Sequence, residues 1–86
     1  MAKVTASTHV WARLNERISE KDIPKFLEGV RKGIQKLPGG PTPWAIKVVL
    51  GAETIGYAVG NRTEWKTVLS GGQTPDKWSQ VVVSKL

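Results

Sequence analysis

The sequence predicts an α+β fold in which two N-terminal helices pack on one face of a three- or four-stranded antiparallel sheet. Three observations carry that prediction. Apolar residues recur at helical spacing through residues 8–37, and Leu37 to Pro43 then packs three prolines and two glycines into seven residues. Beyond that break the apolar pattern becomes extended, with short runs separated by turn residues. Helices first and strands afterwards is the order of an α+β domain rather than of a parallel α/β sheet.

The first helix is expected over Thr8 to Ile18, where Val10, Leu14 and Ile18 recur every fourth residue with Trp11 beside them, and Thr8 or Ser7 is placed to cap it. A second helix follows at once. Ser19 as its cap would set Glu20 and Asp22 in the first turn, where the helix dipole favours acids. A start nearer Asp22, with Pro24 early in the helix, is the competing placement. Ile23, Phe26, Leu27, Val30, Ile34 and Leu37 keep to one face, and Lys25, Glu28, Lys32 and Lys36 fall outside it. Gly29 and Gly33 each weaken this helix by about 1 kcal/mol relative to alanine. Their i,i+4 spacing would let another element pack close.

After the loop at 38–43, Trp44 to Leu50 reads as a strand, Gly51-Ala52 as a turn and Glu53 to Val59 as the next strand. Gly60-Asn61-Arg62 supplies turn chemistry and Trp65 to Leu69 reads as a third strand. Sequential strands joined by short turns should pair antiparallel. Ser70 to Pro75 is a loop, and Val81 to Val83 either adds a short edge strand or docks the tail. The whole of 1–86 is expected to be one domain, with helices over about 8–37 and the sheet over about 44–86.

Composition bounds the chemistry. In 86 residues there is no cysteine, so neither disulfides nor thiolate zinc sites can support the core. The balance of 13 Lys+Arg against 7 Asp+Glu gives +6, which favours anionic partners: RNA or other nucleic acid, or an acidic protein. A membrane is the weakest of the anionic candidates. Lys47 interrupts the most apolar stretch, which is far short of the roughly 20 residues that span a bilayer, and no signal-peptide pattern opens the chain. A cytoplasmic protein is therefore expected. No carboxylate pair or His/Asp cluster suggests a metal, and no glycine motif suggests a nucleotide cofactor.

The single histidine carries the strongest chemical signal. At about 100° per residue, His9, Arg13 and Arg17 form one stripe along the rim of the apolar face made by Val10, Leu14 and Ile18. Two guanidiniums beside an imidazole suit phosphodiester chemistry: arginine binds phosphate and steadies transition-state charge, and histidine moves a proton. The competing reading is a solvated helix rim in which Glu16 or Glu20 pairs with Arg13 or Arg17. Trp11, Trp44, Trp65 and Trp78 are four of only six aromatics. Most are expected to fill the core, with Trp78, in the polar stretch Asp76-Lys77-Trp78-Ser79, as the best candidate to stack on an unpaired base. Bases stacked on tryptophans would lie next to Lys47, Arg62, Lys66 and Lys77, and of these Lys47 and Lys66 are expected to bind phosphate or RNA.

The segment Ser7 to Ile23, read as S-x-H-x3-R-x3-R-I-S-x2-D-I, resembles the first helix and helix junction of small toxin-like domains in the barnase, EndoU, colicin and RelE assemblage. Trp65-Lys66-Thr67-Val68-Leu69-Ser70 is similar to the strand in which such domains turn a Thr or Ser toward the same cleft. The resemblance covers about residues 7–70. It implies a metal-independent endoribonuclease, or a degenerate relative that only binds, often paired with an antidote protein; no cofactor is implied. It implies His9 and Thr67 as catalytic groups and Arg13 and Arg17 as phosphate binders. Active members commonly have a second His, a Glu or a Tyr, and here Tyr57, Glu53 or Lys47 would have to substitute. The alternative is a non-catalytic basic module, such as a phage-type regulator or inhibitor, that binds nucleic acid or an acidic host protein.

Overall fold

The computed structural model describes residues 4–37, 43–75 and 80–86. In chain order it contains β1 (Thr5–Ala6), α1 (Thr8–Arg17), a 3₁₀ turn (Glu20–Asp22), α2 (Ile23–Ile34), β2 (Pro43–Leu50), β3 (Glu53–Asn61), β4 (Glu64–Ser70) and β5 (Gln80–Lys85). The strands form a single sheet in the order β1-β4-β3-β2-β5. The expected helices-on-sheet arrangement is present: α1 lies over β4, and α2 over β2 and β5.

The sheet itself corrects the antiparallel expectation. β2, β3 and β4 form the antiparallel meander, but β1 joins β4 in parallel and β5 joins β2 in parallel, giving five strands of mixed direction. Parallel neighbours need a long crossover between them. β1 and β4 are separated by both helices and the first hairpin, and β2 and β5 by the rest of the meander and the following loop. Thr5 and Ala6 are too few to show an alternation, so β1 carries no periodic signal of its own.

The helix boundaries also move. Ser19 opens the 3₁₀ turn, and α2 begins after Asp22 with Pro24 in its first turn, where the missing N–H has no helical partner to lose. α2 ends at Ile34 rather than Leu37. Lys36 and Leu37 close a tighter turn by donating to the Gly33 and Ile34 carbonyls, and Leu37 precedes Pro38, a position that disfavours helical backbone.

Small residues let the layers approach. A Cβ on Gly29 or Gly33 would press into the Val48 or Ile46 side chains of β2, so α2 can sit close to the sheet only because both positions are glycine. On β3 the helix-facing positions are Gly56, Ala58 and Gly60, and the room they leave is taken by Ile18 and Phe26 over Gly56 and by Trp44 over Gly60. Phe26, Ile46, Val10, Val48 and Val68 are fully enclosed between the layers. Trp44 and Trp65 are buried with them, their indole N–H groups donating to the Arg62 and Thr67 carbonyls at 2.9 Å each.

Successive strand residues point to opposite faces, so the partners of this core face away from the helices. Lys47, Tyr57, Leu69 and Val83 form one row across that face, with Ala45, Val59 and Thr67 in the next. Among the described residues no helix covers it, and none is long and apolar enough to cross a membrane.

Candidate functional site

The stripe inferred from the spacing exists, and its surroundings give each member a distinct position. Val10, Leu14 and Ile18 are buried, which leaves His9 and Arg13 exposed on one flank of α1 and Arg17 half-buried at its end. On the opposite flank of the same helix stand Trp11 and Asn15. The two flanks face different neighbours.

The basic flank is tied to β4. β1 covers only Glu64 and Trp65 of that strand, and side chains from around α1 take over where β1 stops. The Ser7 hydroxyl donates to the Lys66 carbonyl at 3.3 Å, and Arg17 Nη1 donates to the Val68 carbonyl at 2.9 Å. Ser7 N–H also donates to the Trp65 carbonyl at 3.0 Å. The start of α1 is therefore held against Lys66, an exposed residue at a register shift between β4 and β3. A register shift of this kind leaves an extra residue on one strand and re-aims its side chain.

Electrostatically this flank is cationic but not free of partners. Arg13 Nη1 lies 2.8 Å from Glu16 Oε2, an exposed i,i+3 pair, and Lys66 Nζ lies 3.9 Å from Glu64 Oε1. Exposed pairs of this type contribute about 0–1 kcal/mol, so a phosphate can displace the carboxylate from Arg13 at little expense. Arg17 is different. One of its nitrogens is committed to a backbone carbonyl, and the remaining N–H groups of the planar fork are what it can offer to an anion.

The structure does not bring all the sequence-predicted residues together. His9, Arg13 and Arg17 share the α1 flank, with Lys66 beside its start. Val68 packs under the helices, so its neighbour Thr67 points to the opposite face of the sheet, where Lys47 also stands. Tyr57, a candidate second proton carrier, is buried on that same far face, and Glu53 is exposed at the start of β3. Trp78, with Asp76 and Lys77, lies outside the described residues.

Two features escaped the sequence. Trp11 is 51% exposed where burial beside Val10 was the natural reading; the sign of it was its 100° offset from Val10, which takes it to the edge of the apolar stripe. The role of Ser7 as a strand-edge contact depends on β1, which left no readable pattern. Among the described residues no group of three or more His, Cys, Asp or Glu stands together to hold a metal. No family model matches the chain, and no curated protein or solved structure matches it either.

Proposed function

We propose that this chain is an RNA-directed domain of the toxin-like kind, gripping the phosphate backbone along the flank of α1 that faces β4. The observation that supports it is the register of exposed His9 and Arg13 with the Arg17 fork anchored on Val68. A fixed fork beside a labile one presents donors for consecutive phosphates, and the half-buried one is spared the entropy cost of being ordered on binding.

The same geometry ranks binding above cleavage. Transfer of a phosphodiester to its own 2′-oxygen needs one group to take the 2′-proton and another to protonate the 5′-leaving oxygen. His9 is the one imidazole of the chain, and Thr67 and Tyr57 stand on the other face of the sheet. Arginine can steady charge on the pentacoordinate phosphorus but does not give up a proton. Salt-sensitive binding is therefore the expected behaviour, with slow, His9-dependent cleavage on top of it in a degenerate ribonuclease and none in a basic binding module.

The test is a fluorescein-labelled single-stranded RNA titrated with wild type, Arg13→Ala and His9→Ala over a range of salt, with chelator present. Log affinity should fall linearly with log salt, and Arg13→Ala should lower the slope by about one contact's worth, some 0.7 to 1. Salt-independent affinity, or an unchanged slope in Arg13→Ala, removes this flank as the RNA surface. Cleavage that survives His9→Ala removes the catalytic role of the imidazole.

A further inference from the structure

The two edges of the sheet are finished differently. At one edge β1 covers the start of β4, and beyond it the Ser7 hydroxyl and the Arg17 guanidinium donate to the Lys66 and Val68 carbonyls. At the other edge stands β5, which pairs with β2 on one side and, among the described residues, with no strand on the other. One bond fixes the direction of its backbone groups: Leu86 N–H donates to the Val49 carbonyl at 2.8 Å. Successive residues of a pleated strand turn their N–H and C=O groups to opposite edges, and β5 keeps its register with β2 without a shift. Val82 and Ser84 therefore face β2 with Leu86, and the N–H and C=O groups of Val81, Val83 and Lys85 face outward. The side chains of Val81 and Val83 are 47% and 43% exposed, on the sheet face away from the helices. Edge strands are commonly protected by proline, a bulge or inward-pointing charge. Gln80–Lys85 has no proline, and its one charged residue is Lys85.

We infer that β5 is a dimerisation edge: the outer edges of two copies of this chain pair antiparallel about a twofold axis at Val83, joining two five-stranded sheets into one. The open ladder calls for an extended strand, because a strand is what returns bonds to alternating N–H and C=O groups. The sequence of β5 selects a second copy as that strand. With the axis at Val83, Val83 faces Val83 of the partner subunit and Val81 faces the partner's Lys85, so each outward-facing residue meets another and exchanges both of its edge bonds. Valine meets valine at the centre, and no two lysines stand opposite each other. An axis at Lys85 would oppose lysines, and one at Val82 would leave Lys85 unpaired within the strand. An acidic strand from another protein would find one cation in β5, Lys85. The pairing works against the +6 charge of each copy, so salt should promote it by screening that repulsion, whereas salt would weaken the hold on an acidic partner. The inference does not rest on RNA binding, because the α1 flank lies toward the other edge of the sheet.

The test is sedimentation of the full chain from about 10 μM to about 1 mM, the range in which a weak dimer forms, at low and at high salt, with amide exchange followed by NMR at both ends of the series. In dilute protein the amides of Val81, Val83 and Lys85 should exchange faster than those of Val82, Ser84 and Leu86. Raising concentration and salt should bring the mass to that of a dimer and slow the first set. Val83→Lys sets like charges opposite each other at the axis and should weaken dimerisation by about tenfold or more. Val81→Lys, which would face the partner's Lys85, should weaken it too, and it keeps the test alive if Val83→Lys fails to fold; both positions are exposed. A chain still monomeric at about 1 mM in high salt, association that salt weakens, or a dimer that survives both substitutions unchanged overturns the proposal. So does assembly beyond a dimer, since a twofold edge contact closes on itself.

Discussion

Arg17 is the residue at which structural and functional readings diverge most sharply, and Arg17→Met separates them. Methionine keeps an unbranched apolar stem of similar reach and removes the guanidinium, so packing along α1 changes little. What is lost is the 2.9 Å bond from Nη1 to the Val68 carbonyl. A hydrogen bond to a charged donor contributes about 1.5–3 kcal/mol, and the half-buried setting of Arg17 places the expected loss in the lower part of that range. At about 4–8 °C per kcal/mol for a domain of this size, the melting midpoint should fall by roughly 6–15 °C. The assay is urea and thermal unfolding of wild type, Arg17→Met and Arg17→Lys, with RNA titrations on the same samples at a temperature where all are folded. Lysine keeps the charge but not the planar fork, so it should recover RNA salt dependence better than it recovers stability. If Arg17→Met unfolds within about 0.5 kcal/mol of wild type, the bond to Val68 contributes nothing measurable and the reasoning that α1 is clamped to β4 through this side chain fails.

Two further perturbations follow from the packing and from the α1 flank. Gly33→Ala should gain about 1 kcal/mol of helix propensity yet destabilise the protein by about 1–3 kcal/mol in denaturant unfolding, because the new Cβ meets the Ile46 side chain. Glu16→Gln should leave stability within about 0.5 kcal/mol, since its pair with Arg13 is exposed, and should tighten RNA binding by anisotropy, because it removes a competing carboxylate. Unchanged or weaker RNA affinity in Glu16→Gln would show that Arg13 does not contact phosphate.

What the sequence could and could not display has a physical basis. The meander was readable because Trp44 to Leu50, Glu53 to Val59 and Trp65 to Leu69 are long enough for alternation and are separated by residues that turn. The glycines of α2 announced a close contact by their i,i+4 spacing, and the structure supplies Val48 and Ile46 as the contact. Direction was not readable in the outer strands. Whether Val81 to Val83 runs parallel or antiparallel to its neighbour depends on which edge the chain reaches after β4, a tertiary choice that local pattern does not encode. Thr67 shows the same limit on a finer scale: a strand residue belongs to the opposite face from its neighbour, and placing it with His9 required knowing that Val68, not Thr67, is the one turned toward the helices.

The stripe on α1 was legible for the same reason that its counterpart was not. A helical wheel ranks residues by angle from an apolar centre, so His9, Arg13 and Arg17 stand out as polar groups in register, while Trp11 at the other margin counts as core. Only the separation of α1 from α2 decides that Trp11 remains half in water. With small residues at Gly56, Ala58 and Gly60 under them, the helices lean on different strands, and a groove opens above Trp65 where a tighter pair of helices would have closed. One short helix thereby carries a basic margin against β4 and an aromatic margin against α2. Any displacement of this helix on β4 strains the 2.9 Å bond from Arg17 to the Val68 carbonyl and changes the spacing of the donors beside it.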